Sequence, residues 1–103
     1  MEALLKRFIA FTQDGIFRHR LESGAVLMAN QGLVDLLELE GTPDTLIGKP
    51  IQSLFLSLDS HRGLVDILRN QGSIHRLPIH FFTLKGTEKW ALYDALVAED
   101  PET

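Results

Sequence analysis

Two long runs of alternating side chains, residues 74–84 and 88–98, fill the C-terminal part of the chain and meet at Lys85-Gly86-Thr87, whose composition suits a tight turn. Strand side chains alternate between faces. Leu77, Ile79, Phe81 and Thr83 therefore share one face of the first run, and Arg76, Pro78, His80, Phe82 and Leu84 the other. In the second run Ala91, Tyr93, Ala95 and Val97 alternate with Trp90, Leu92, Asp94 and Leu96. A hairpin with one wet face would be apolar on one side and polar on the other. Here both faces carry large apolar groups, so both are expected to be covered.

Upstream, residues 1–12 place Leu4, Leu5, Phe8, Ile9 and Phe11 at helical spacing, opposite Glu2, Lys6 and Arg7. So short a helix is marginal alone, and its apolar stripe must dock on the domain or on a second copy. Asp14-Gly15 turns the chain into a strand over 16–21, and Glu22-Ser23-Gly24 turns it again into a strand over 25–29. Asn30 stands where an N-cap belongs, before the helical pattern of Leu33, Val34, Leu36 and Leu37, which stops by Gly41. Thr42-Pro43-Asp44 starts a further helical turn that Gly48 and Pro50 end, and residues 51–56 read as one more short helical segment. Asp59 or Ser60 caps a helix over 61–70, with Leu64, Val65, Ile67 and Leu68 inward and Gly72 as its stop. The order predicts an α+β domain with short helices packed on one face of an antiparallel sheet, divided into an N-terminal amphipathic helix, 1–13, and a domain, 14–103.

Composition narrows the function. A chain of 103 residues, 45% apolar and 23% charged, builds one core. Ten Lys plus Arg face fourteen Asp plus Glu, and the cations are scattered, which argues against nucleic acid as a partner. No apolar run approaches the roughly 20 residues of a membrane helix, and the N-terminus lacks a signal-peptide layout, so no membrane insertion and a cytoplasmic location are expected. The absence of cysteine removes disulfides, thiolate metal sites and cysteine nucleophiles.

His19 shares parity with Phe17 and Leu21; if buried it needs a partner, a backbone carbonyl, Tyr93 or a ligand, and if the strand's parity is reversed it is exposed. His75 shares the parity of Leu77, and His80 lies with Phe82. No metal-type spacing links the histidines, and no metal site is expected. Asp35 and Glu38 sit on a helix flank and Asp94 on the outer strand face, positions suited to solvent or an interface.

Asp14-Gly15-Ile16-Phe17, Gly24-Ala25-Val26-Leu27-Met28-Ala29-Asn30, Leu46-Ile47-Gly48-Lys49-Pro50-Ile51, a helix ending at Gly72, and a long hairpin with Lys85-Gly86 and Trp90 together resemble a PAS sensory domain over about residues 14–100. Two features depart from that family: the turn lacks the Asp of Lys-Asp-Gly, and the family's final strand, which lies between the first strand and the second arm of the hairpin, is missing. Residues 16–21 are then expected either to pair directly with 90–97 or to leave an edge for another chain.

The resemblance implies a non-catalytic sensory and interaction module of a signalling protein, such as the histidine kinase of a two-component system or a diguanylate cyclase. It places a pocket for a small, mostly apolar ligand at His19, Leu64, Leu68, Leu77, Ile79, Phe81, Ala91 and Tyr93. The cysteinyl-flavin adduct of photosensory relatives is excluded without cysteine, and haem is disfavoured because the long helix carries only His61, at its start. A homodimer is expected through Leu4, Phe8, Phe11, Phe82, Leu84, Trp90, Leu92 and Leu96. The competing reading is a small cone-type isomerase or dehydratase using His19 with Asp94, a pair that strand parity places on opposite faces.

Overall fold

Hydrophobic spacing and turn residues resolve, in a computed structural model that describes residues 2–58 and 61–98, into α1 (Glu2–Phe11), β1 (Phe17–His19), β2 (Val26–Ala29), α2 (Gln31–Leu36), two 3-10 turns (Pro43–Leu46 and Ile51–Leu54), β3 (Phe55–Leu58), α3 (His61–Gln71), β4 (Ser73–Thr83) and β5 (Glu88–Leu96). The expected cap at Asp59 or Ser60, the tail from residue 99 and the side chain of His61 lie outside the described residues. The α+β class and the helices on one sheet face are as the pattern predicts.

Asn30 is the cap of α2: its Oδ1 accepts from Leu33 N at 3.0 Å, and the residue is buried. The helix is shorter than its apolar pattern. Glu38 takes a left-handed φ of 59° just beyond the C-cap Leu37, turning the chain before Gly41 is reached. Gly72, with φ 81°, ends α3 where a stop was expected, and its N–H donates to Leu68 O.

The core lies between the helices and the inner sheet face, in two adjoining clusters. Val26, Leu33, Val34, Leu37, Leu46, Ile51, Leu54 and Phe81 form one; Leu64, Leu68 and Ile74 form the other, with Leu77, Tyr93 and Ala95 packed against it. Phe81 is the largest fully buried side chain, with the ring of Phe55 edge-on at 5.3 Å. A buried side chain of this size contributes about 1.5–3 kcal/mol, so this inner row carries much of the domain's stability.

Two expectations are corrected. Residues 51–56 are not one helical segment: the 3-10 turn ends at Leu54 and the chain runs on as β3, pairing antiparallel with the end of β4, Phe55 opposite Thr83. A short apolar run has no period long enough to separate helix from strand, and here the open edge of β4 decides. The parity of β4 also changes once along its length. Register slips between Ile74 and Leu77, with Arg76 at φ 49°, so Ile74 is inward and His75 exposed rather than beside Leu77. Asp94 on β5 holds this bulge, its Oδ1 accepting from Arg76 N at 3.0 Å.

The outer sheet face is left uncovered by the described residues of this chain. Leu84, Trp90, Leu92 and Leu96 are exposed, as are Leu4, Leu5, Phe8 and Phe11 on α1. The helix instead lies against α2, tied down by Asn30.

The sheet is divided in two. β1 pairs only with β2, and β3-β4-β5 form a second sheet, with no backbone hydrogen bond between β1 and β5 among the described residues. Direct pairing of the first strand with the second hairpin arm is thereby excluded. Among the described residues neither β1 nor β5 has a partner strand on the side facing the other.

Candidate functional site

The gap between β1 and β5 opens onto a cavity of about 1250 Å³, floored by side chains of α2 and α3 and bounded by β3 and β4. Strand alternation builds it. Phe17 and His19 project inward from β1, Leu21 from the turn that follows it, and Ala91, Tyr93 and Ala95 from β5, while the small Ala91 and Ala95 leave room beside bulkier neighbours. Of the pocket residues expected from sequence, His19, Leu64, Leu68, Ile79, Phe81, Ala91 and Tyr93 line this one cavity. Leu77 packs in the second core cluster.

Of the polar residues that line the cavity, Tyr93 and His19 project from the inner strand faces. The Tyr93 ring stacks on Phe17 at 6.3 Å, nearly parallel, and among the described residues no protein group hydrogen-bonds its hydroxyl. Burial pushes the Tyr93 phenol above its ordinary pKa of 10.0. His19 also stacks on Phe17, at 5.8 Å, and its Nδ1 donates to the Arg20 carbonyl at 2.8 Å, so the backbone satisfies one ring nitrogen. The lining is otherwise mostly apolar, which suits a hydrophobic guest with a single polar contact.

His19 and Asp94 do not meet. The imidazole is on the inner face, while the Asp94 carboxylate is exposed on the outer face and engaged by Arg76 N. Among the described residues no three of His, Asp and Glu converge as metal ligands. No helix among the described residues is long and apolar enough to cross a membrane.

The outer face holds a second constellation. His80 Nε2 lies 2.7 Å from Glu88 Oε2, with the imidazole stacked on Trp90 at 4.4 Å and edge-on to Phe82 at 5.2 Å. Exposure there is high: 69% for Trp90 and 79% for Leu96. Of the dimer residues expected from sequence, Phe82, Leu84, Trp90, Leu92 and Leu96 share this face, whereas Leu4, Phe8 and Phe11 stand on α1.

A polar cluster that sequence spacing does not reveal ties the hairpin to α2. The buried Thr83 hydroxyl donates to Glu38 Oε1 at 3.0 Å and accepts from Thr87 N, and Lys89 Nζ donates to Leu36 O at 2.6 Å. Its two links from the hairpin to the α2 region span 45 and 53 residues, too distant for any local pattern to expose.

No family model matches the chain, and no curated protein matches it in sequence. Solved structures do match in shape. The crystal structure of the PAS domain of a protein from Colwellia psychrerythraea superposes with a TM-score of 0.67 at 18% identity, covering 86% of this chain and 75% of that one. The PAS domain of the fruit-fly ELK potassium channel gives a TM-score of 0.68 at 16% identity, covering 98% of this chain and 85% of that one. At such identity the likeness is one of fold: this chain has the PAS fold.

Proposed function

We propose, from the premise of a PAS fold, that this chain is a sensory and protein-interaction module of a signal-transduction protein such as a histidine kinase or diguanylate cyclase, working by self-association. The observation that carries the reading is the pair of uncovered apolar surfaces, Leu84, Trp90, Leu92 and Leu96 on the sheet and Leu4, Phe8 and Phe11 on α1. A soluble monomer seldom leaves so many large side chains open to water. A second copy related by a two-fold axis would bury both surfaces at once, because an isologous contact uses the same patch twice.

The cavity adds a sensory role. A small, mostly apolar molecule would fill the space beneath β1 and β5 and meet Tyr93 or His19 through one polar group. The enzymatic reading has no support in the geometry, since His19 and Asp94 occupy opposite faces and each is already bonded elsewhere.

Native mass spectrometry and an absorption spectrum of the purified protein test both parts. A dimer mass, with added mass or colour where a guest is held, is expected. A monomer at high concentration would overturn self-association, and an empty cavity under every growth condition would overturn ligand sensing.

A further inference from the structure

On the outer sheet face a large exposed ring is held by a titratable one. His80 on β4 stands directly opposite Trp90 on β5, and the antiparallel register lets the two rings stack at 4.4 Å with 29° between their planes. Glu88 precedes Trp90 by one full alternation and so shares its face, which brings Glu88 Oε2 within 2.7 Å of His80 Nε2. Phe82 closes on the imidazole edge-on. The His80 side chain is 18% exposed against 59% for Glu88, so the imidazole is the enclosed member and its partners are the ones that meet solvent.

The charge of His80 changes both contacts in one direction. Protonation turns the Glu88 contact into a charge-assisted hydrogen bond and places a cation over the Trp90 face. Loss of the proton removes both and leaves the Glu88 carboxylate without an opposing charge from His80. Among the described residues, the other elements around His80 add no second titratable group beside it. β3 contributes only Phe55, Leu56, Ser57 and Leu58, and Pro78 and Phe82 flank it along β4. Lys89 is turned to the inner face, where its Nζ donates to Leu36 O, and Asp94 lies farther along β5 with its Oδ1 held by Arg76 N.

We propose that His80 is a proton-operated lock on self-association: charged, it holds Glu88 and Trp90 as an ordered, charge-balanced patch that a second copy can cover, and neutral, it leaves a lone carboxylate that resists burial. The lock rests on the outer face being the self-association surface. Closing that interface removes water from Glu88, and an anion taken out of water without a compensating charge is strongly disfavoured, whereas a paired one is much less so. Two-fold symmetry brings two such pairs into one interface, so the effect of one proton is doubled.

Trp90 is the single tryptophan of the chain and reports the lock directly, because a protonated imidazole stacked on an indole quenches its fluorescence. The whole chain is titrated between about pH 6 and 8, across the ordinary histidine range, with emission and the dimer dissociation constant from analytical ultracentrifugation followed together. Toward pH 6 emission should fall and self-association should tighten by about tenfold. His80→Gln keeps a donor for Glu88 without titrating, and should hold both readouts level. That variant separates the lock from the general loss of charge repulsion as pH approaches the sequence pI of about 5.4. Glu88→Gln should lose the preference for acid, and His75→Gln, exposed at the start of β4, should keep it. A wild-type dimer equally strong at both ends of the range overturns the inference and leaves self-association standing. So does an acid preference that persists in His80→Gln, which assigns the effect to net charge. A chain that stays monomeric throughout overturns self-association itself, and the lock with it.

Discussion

Asn30 Nδ2 donates to the Ile9 carbonyl at 2.8 Å, so one side chain serves the end of α1 and, through its Oδ1, the start of α2. Helix termini leave such groups without intrahelical partners. The same carboxamide accepts from Ile16 N and donates to Asp14 O, both at 2.8 Å, which accounts for a fully buried polar residue where the N-terminal helix meets the domain.

Replacing Asn30 with alanine should therefore cost about 1–3 kcal/mol, combining a lost cap with unsatisfied backbone groups, and lower the urea midpoint. Asn30→Asp keeps the acceptor for Leu33 N but sets an anion against the Ile9 and Asp14 carbonyls. Hydrogen exchange should then show α1 released in Asn30→Asp; equal protection of α1 in both variants and wild type would contradict the clamp.

Gly32→Ala should destabilise the protein, although alanine is favoured in a helix by about 1 kcal/mol. A Cβ at Gly32 would run into the Asp14 carbonyl oxygen, which is backbone and cannot rotate away. The overlap is expected to cost about 1–3 kcal/mol and to win. Equilibrium unfolding of the variant gives the sign directly, and a raised midpoint would show that the 13–15 loop yields.

Glu38 makes stability depend on acid. Side-chain hydrogen bonds from Thr87 and Thr83, aided by the nearby Lys89 and Lys85 charges, hold its carboxyl below the usual 4.5. A lowered folded-state pKa stabilises above the unfolded value, and that contribution fades as pH falls through the folded one. Unfolding midpoints measured downward from about pH 5 should decline in wild type. Glu38→Gln should show a shallower decline; identical slopes would exclude Glu38 as a source.

Leu92→Arg places a charge in the exposed outer face, away from both core clusters. The fold should be retained with stability changed by about 0.5 kcal/mol or less. Light scattering should show the proposed dimer becoming monomer. A variant that remains dimeric would move the interface elsewhere.

Phe81→Ala empties the centre of the larger cluster and should cost about 3–5 kcal/mol, measured by denaturant unfolding. A loss under about 1 kcal/mol would mean that Phe55 and its neighbours collapse into the space.

Much of this arrangement was legible in residue order. Alternation alone put Leu77, Ile79, Phe81, Ala91 and Tyr93 on the helix side and Trp90, Leu92 and Leu96 on the other, because period two leaves no freedom once one buried residue is known. Asn30 was readable as a cap, but its reach to Ile9, Asp14 and Ile16 was not, since those partners are set by tertiary approach. Phe55–Leu58 became a strand only because β4 offered an edge. The cavity residues were foreseeable from parity, whereas the gap that opens the cavity depends on two strands failing to pair, which no local pattern encodes.

The bulge at Arg76 works as a phase change within a single strand. Before it, the even position Ile74 carries the inward side chain; after it, the odd positions Leu77, Ile79 and Phe81 do. Tolerance to polar substitution should therefore invert across one residue, with odd positions permissive upstream and even positions permissive downstream. Asp94 keeps the two phases joined by holding Arg76 N, so one carboxylate on β5 governs how both halves of β4 are read against the helices.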